Sequence, residues 1–226
     1  MRNYSGWGWD SKDVRDSRRV LSSVLIGAGV LLCGAALLHY VRGVTAQTQG
    51  LRVFEERRSR AVRPPGENPG IATVASPVST ASSASSTPDA TNRMGEPIAR
   101  IRIPSARMDY VVFEGTDSET LEKGPGHVPG TEQPGGDSGP KNCVITGHRD
   151  SHFRHLGWLR KGHRIELDTA GGKKTYAVVS REIVAPDAVR VLQPTPTQRL
   201  TLITCYPFDY IGAAPKRLVV VAEPVP

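Results

Sequence analysis

Cysteine is scarce in this 226-residue chain, which carries only Cys33, Cys143 and Cys205. None of their spacings forms a paired-thiolate zinc motif, and no disulfide framework can be read from them. Aromatic residues are also few, at 6%, and the 29 Lys and Arg are scattered rather than interleaved with them. The formal charge of +7 therefore lacks the basic stripe and aromatic signature of a nucleic-acid reader, and no nucleic-acid partner is expected. Basic charge beside an apolar segment instead suits an anionic lipid or wall surface. Acidic residues do not cluster at calcium-loop spacing. No metal and no cofactor is expected, and no segment repeats another.

What the chain does have is one long apolar run. From Val20 to Val41 it reads VLSSVLIGAGVLLCGAALLHYV, 22 residues without a formal charge. At about 1.5 Å per residue this is enough to cross roughly 30 Å of hydrocarbon. A single uncleaved transmembrane helix is expected, and Val44-Thr45-Ala46 offer a cleaved signal peptide as the alternative. Lys12, Arg15, Arg18 and Arg19 precede the run, and Arg42, Arg52, Arg57, Arg58 and Arg60 follow it. The Arg18-Arg19 pair abutting the span, and the short tail before it, favour an N-terminus inside and the bulk of the chain outside.

The expected organisation is a cytoplasmic tail over residues 1–19, the anchor over 20–41, a flexible stalk over 42–94 and a folded domain over 95–226. Trp7 and Trp9 fall in the tail, at the inner interface or in disordered chain. LRVFEERRSRAV is compatible with a short helix, and from Ile71 to Asn92 the sequence collapses to Ala, Ser, Thr and Pro, which cannot bury a core. The folded part alternates with a period of two around Ile98–Ile103, Tyr110–Phe113, Cys143–Ile145, Arg164–Asp168, Thr175–Val179, Leu200–Cys205 and Leu218–Val221. Short strands set off by Gly and Pro turns, with Gly171-Gly172 joining two of them, predict a closed or nearly closed β-barrel. Two helical interruptions are expected: SETLEK, capped by Asp117-Ser118 and stopped by Gly124, and HLGWLRKG, ending at Gly162.

Cys205 and His148 are the residues with the most chemistry to offer. Each closes a strand-like segment, TLIT and NCVITG, and two such ends side by side would put a thiol and an imidazole in one cleft. A free thiol, with a pKa of about 8.5, is mostly protonated at neutral pH, so a nearby imidazole or cation is needed to favour the thiolate. Arg217, twelve residues on, supplies a permanent charge and a planar fork for an oxyanion or a carbonyl. Against this stands the plainer reading of Cys205 as a small core residue and of Arg217 as a solvated charge. A second alternative takes His148, His152 and His155, spaced four and three apart near Cys143 and His163, as zinc ligands on a helix; the Gly, Asp and Ser around them look more like loop.

"VITGHRDSHF" (Val144 to Phe153) and "TLITCYPFDYIGAAPKRLVVVA" (Thr201 to Ala222) together resemble the sortase family, and "GPGHVPGTEQPGGDSGPKNC" resembles the segment leading into the sortase histidine strand. The tail after Cys205 is most similar to class D sortases. The resemblance covers roughly Glu96 to Pro224. It implies a mainly β, sortase-type eight-stranded barrel with short helices, on a membrane anchor and tether. It also implies cleavage of an LPxTG-like sorting signal between Thr and Gly, and transfer of the acyl group to an amine on a wall precursor or a pilin lysine. On that reading Cys205 is the nucleophile, His148 the general acid and then base, and Arg217 the oxyanion or substrate-backbone donor. Thr204 and Tyr206 beside the nucleophile are expected to bind substrate, with Tyr206-Pro207-Phe208 shaping a groove wall. A non-catalytic tethered β-domain that binds peptide or wall material is the alternative. Cys143 is expected to point into the barrel, and Trp158 to pack in the core or roof the cleft.

Overall fold

The computed structural model describes residues 11–62, 93–137, 139 and 141–225. The chain divides into two units, Met1–Val44 and Thr45–Pro226. The first is helical where described: α1 (Ser11–Val62) contains the whole apolar run. The stretch within Leu21–Arg60 reaches a mean hydropathy of 2.3 and is long and apolar enough to cross a membrane. Leu25, Ile26, Leu31 and Leu32 are all exposed, as side chains facing lipid would be. The stalk residues 42–62 are helical too. Trp7, Trp9 and residues 63–92 of the expected tail and stalk lie outside the described residues.

The second unit is built on eight strands: β1 (Pro97–Ile103), β2 (Met108–Glu114), β3 (Gly126–His127), β4 (Asn142–Thr146), β5 (Arg164–Thr169), β6 (Gly172–Val184), β7 (Arg199–Tyr206) and β8 (Lys216–Pro224). They close a barrel in the order β1-β2-β3-β4-β7-β8-β6-β5, with β5 pairing back to β1. The period-two pattern explains the core. Ile103, Ile145, Leu167, Leu200, Leu202 and Leu218 point inward and are at most 1% exposed. Each such side chain is worth about 1.5–3 kcal/mol relative to exposure. The β5–β6 hairpin turns at Ala170-Gly171, and Gly172, with φ of +125°, starts β6 in a region that glycine enters without strain.

Asp117 caps α2 (Ser118–Lys123) by accepting from the Thr120 amide at 3.0 Å, as the sequence predicts. The second expected helix is reduced to one 3-10 turn, Leu156–Trp158. β3 has no counterpart in the sequence reading because two residues carry no period. Its Gly126 is required by a close approach: a Cβ there would lie 2.1 Å from the Gly115 carbonyl oxygen.

Two side chains finish the barrel where strand pairing stops. β3 pairs with β2 only at Phe113 and Glu114, which leaves the Val111 backbone open on that edge. The Gln47 amide closes it, accepting from Val111 N–H at 2.7 Å and donating to Val111 O at 3.2 Å and Lys123 O at 2.7 Å. The gap where β2–β3 pairing stops is thereby closed to a foreign strand.

His127, fully buried on β3, is the second. Its Nε2 lies 2.9 Å from the Glu132 carbonyl oxygen, which can only accept, so Nε2 carries a proton; its Nδ1 lies 3.0 Å from the Glu114 carboxyl. His127→Leu would leave Glu114, only 4% exposed, without that partner. A loss of about 3 kcal/mol is expected, read as a drop in urea midpoint at unchanged slope.

Candidate active site

β7 alternates Leu200 and Leu202 inward with Thr201 and Ile203 outward, so Cys205, next in the outward series, faces away from the core. β4 does the same: Cys143 and Ile145 are core residues, whereas Asn142, Val144 and Thr146 face out. The two strands run parallel with Thr146 beside Ile203, and the Gly147 amide continues the ladder to Ile203 O at 3.2 Å. β4 ends at Thr146, and His148 follows two residues later in the loop that leaves it. On the other side β8 runs antiparallel and sets Arg217 directly across from Cys205; Val184 of β6 pairs beyond it. Neighbouring strands are about 4.8 Å apart, so the Cys205 thiol and the Arg217 guanidinium stand on adjacent strands of one outer face, with His148 in the loop past the end of β4. His148 is exposed, and Cys205 and Arg217 are partly so.

The floor beside this pair is apolar, made by Ile203, Val184, Val219 and Val221 under Ala188 and Val191 of the β6–β7 loop. That loop is tied down by Asn142, a residue the sequence reading passed over. Its amide donates to Val191 O at 3.1 Å and Gln193 O at 2.9 Å and accepts from the Thr201 hydroxyl at 2.7 Å.

The β7–β8 loop is tied to the loop that carries His148. Arg149, also unflagged, donates to Pro207 O at 2.9 Å, Tyr210 O at 2.5 Å and Gly212 O at 2.9 Å. Arg217 donates to Ala214 O at 3.1 Å and Lys216 O at 2.9 Å, both through Nη1. Thr204 is buried, and its hydroxyl donates to Gly147 O at 2.7 Å, one residue before His148. Tyr206 packs against the main core and meets Phe208 edge to face at 6.1 Å.

The cysteines answer the question of pairing. All three are free, and Cys143 sits inside the barrel while Cys205 faces out, so the sheet itself separates them. Burial, with Glu132 and Glu114 adding to it, pushes the Cys143 thiol far up, leaving it protonated and out of reach. Residues 148–155 form turns, not a helix, so the four-and-three histidine spacing does not align three ligands on one face. Trp158 is 51% exposed and stacked on His155 at 4.1 Å, a surface position in place of a core one.

His152 packs edge-on against the Tyr110 ring at 5.1 Å. Burial, and then the neighbouring His148, lower its pKa to about 4 against the opposing pull of Asp150. The folded protein thus holds His152 neutral while the unfolded chain, with an ordinary value near 6.5, takes up a proton first. Stability should fall as pH drops from about 6.5 towards 4, by on the order of 2 kcal/mol. Urea midpoints at pH 7 and pH 4.5 check this, with His152→Gln expected to show a smaller drop.

A closed eight-stranded barrel with a partly exposed thiol and a guanidinium paired across two adjacent strands defines the candidate site. The Sortase domain family matches residues 101–225, and the chain belongs to that family. It is 36% identical to Sortase D of Bacillus subtilis (strain 168) over 132 residues, which are 58% of this chain and 65% of that protein; it thus spans just under two thirds of that relative's length. Among solved structures it resembles sortase C-1 of Actinomyces oris, at 36% identity and TM-score 0.53, covering 58% of this chain and 74% of that one. It also resembles Clostridium perfringens sortase C with the C-terminal cell wall sorting motif, at 27% identity and TM-score 0.55, covering 60% and 74%.

Proposed function

We propose that this chain is a membrane-anchored cysteine transpeptidase that cuts an LPxTG-like sorting signal between Thr and Gly and passes the acyl group to an amine. The observation that carries the reading is the pairing of Cys205 with Arg217 across β7 and β8, next to β4, which pairs parallel with β7 and leads into the loop that carries His148. The Cys205 sulfur attacks the Thr carbonyl carbon, and the carbonyl oxygen takes up negative charge. The Arg217 Nε and Nη2 edge receives that oxygen, since Nη1 is occupied by its own loop. As the C–N bond to Gly breaks, His148 gives its proton to the leaving amine, and a thioester remains on Cys205. His148 then takes a proton from the incoming amine as that nitrogen attacks the thioester and expels the thiolate.

The apolar floor of Ile203, Val184, Val219 and Val221 suits the Leu and Pro of such a signal. Thr204 serves substrate indirectly by holding Gly147, and Tyr206 contributes its partly exposed ring at the mouth. The substrate proteins carry the signal, and the acceptor is the amine of a wall precursor or a pilin lysine. The apolar span in α1 supports a single-pass anchor, with the Arg18-Arg19 end inside and the barrel outside. The test is the full chain in detergent with a quenched LPxTG-like peptide library and an amine acceptor. Cleavage between Thr and Gly with amine-dependent product is expected; an inert, folded protein across the whole library would overturn the assignment.

A further inference from the structure

The two loops that carry His148 and lead into Arg217 are far apart in sequence, and one side chain joins them. Arg149 directly follows His148, in the loop leaving β4. Its guanidinium reaches across to the loop between Cys205 and Arg217, donating through Nη1 to Pro207 O and through Nη2 to Tyr210 O and Gly212 O. The same guanidinium lies 5.9 Å from the centre of the Tyr210 ring. The three carbonyls, 58 to 63 residues away in the chain, come from one six-residue arc, and a planar fork spans such an arc where a point-like ammonium cannot.

On the near side the histidine loop has its own fixings: the Thr204 hydroxyl holds Gly147 O at 2.7 Å, and the Phe153 amide donates to His148 O at 2.9 Å. In the arc that Arg149 holds, Phe208 packs against the main core, and the residues after it are exposed. Asp209, Tyr210 and Ile211 are exposed, Ile211 at 97%, and the arc leads straight into Arg217. A segment with few buried contacts opens at low free energy unless something fixes it.

We infer that Arg149 is a positioning residue that locks the β7–β8 loop to the histidine loop, so that the Arg217 guanidinium, oriented by the Ala214 carbonyl of that loop, is held facing Cys205. The inference rests on the transpeptidase reading for its kinetic consequence alone; the lock itself is a property of the fold. With Arg149→Ala, the arc 207–212 loses three hydrogen bonds and moves independently of His148. The Arg217 backbone stays paired with Cys205 and Val184, but the Ala214 carbonyl that orients its Nη1 shifts with the arc, so the guanidinium samples positions away from the developing oxyanion. The effect therefore falls mainly on the chemical step and less on substrate binding.

Two arms test this on the full chain in detergent, with wild type, Arg149→Ala and Arg149→Lys. The first is limited chymotrypsin digestion read by mass spectrometry at the Tyr210-Ile211 bond, together with the thermal midpoint. A roughly tenfold faster cut in Arg149→Ala with a midpoint shift of under about 3 °C is expected, and Arg149→Lys should lie between the two. An unchanged cut rate, or faster cutting spread over the whole barrel, would overturn the lock. The second arm is peptide transfer kinetics: a kcat lowered about ten- to a hundredfold is expected, with KM changed less than about threefold and Lys rescuing only in part. Kinetics within twofold of wild type beside a loosened loop would overturn the positioning role. If wild type itself turns over no peptide, the transpeptidase reading fails and the digestion arm still decides the lock.

Discussion

Cys205→Ala is expected to lower peptide cleavage and amine transfer by at least about 10⁴-fold, the scale on which losing the nucleophile removes covalent catalysis. The barrel's other thiol cannot take over the attack: Cys143 is 2% exposed inside the barrel, away from the outer face where Cys205 lies. The variant should fold as wild type does, because Cys205 points outward and contributes little to the core. Measurement requires full-chain protein at equal concentration, with product followed by mass spectrometry and the thermal midpoint as control. Residual turnover within tenfold of wild type would remove Cys205 from the role assigned here.

Arg217→Lys is the second large effect. Lysine keeps the charge but replaces a planar fork by a single point of donors. In the structure Nη1 of Arg217 is engaged by Ala214 O and Lys216 O, so the guanidinium is already oriented before substrate arrives. An ammonium cannot both hold those carbonyls and face an oxyanion. A loss of about 10² to 10³ in kcat is expected, equal to roughly 3 to 4 kcal/mol of barrier. KM should change far less, because the interaction strengthens only as the carbonyl oxygen acquires charge. Near-normal kcat in this variant would mean that the oxyanion is received elsewhere.

The barrel was largely legible because its strands follow the rule that alternate residues face opposite sides. Ile101 and Ile103, Leu200 and Leu202, and Leu218 and Val220 all turn inward as that rule requires. β3 was not legible: Gly126 and His127 are too few to show a period, and their strand character comes from β2 and β4 on either side. The segment HLGWLRKG misled because Gly157 faces the Phe208 ring, so tertiary packing and not helical propensity shapes that turn.

Within the site, the ends of β4 and β7 were readable as places for an imidazole and a thiol. Their shared outer face required the parallel register of Thr146 with Ile203, which no local pattern reveals. Asn142 and Arg149 stayed invisible for the same reason. Their partners are backbone carbonyls about 50 to 60 residues away, and a carbonyl has no sequence signature.

The central claim is that Cys205 carries a thioester during turnover. The direct measurement is intact-protein and peptide mass spectrometry of the full chain, quenched in acid after mixing with an LPxTG-like peptide and no amine acceptor. The account predicts an added mass equal to the peptide cut after its Thr, mapped to Cys205, lost on addition of an amine and absent from Cys205→Ala. Peptide cleaved with no adduct on Cys205, or an adduct that persists in Cys205→Ala, would contradict it.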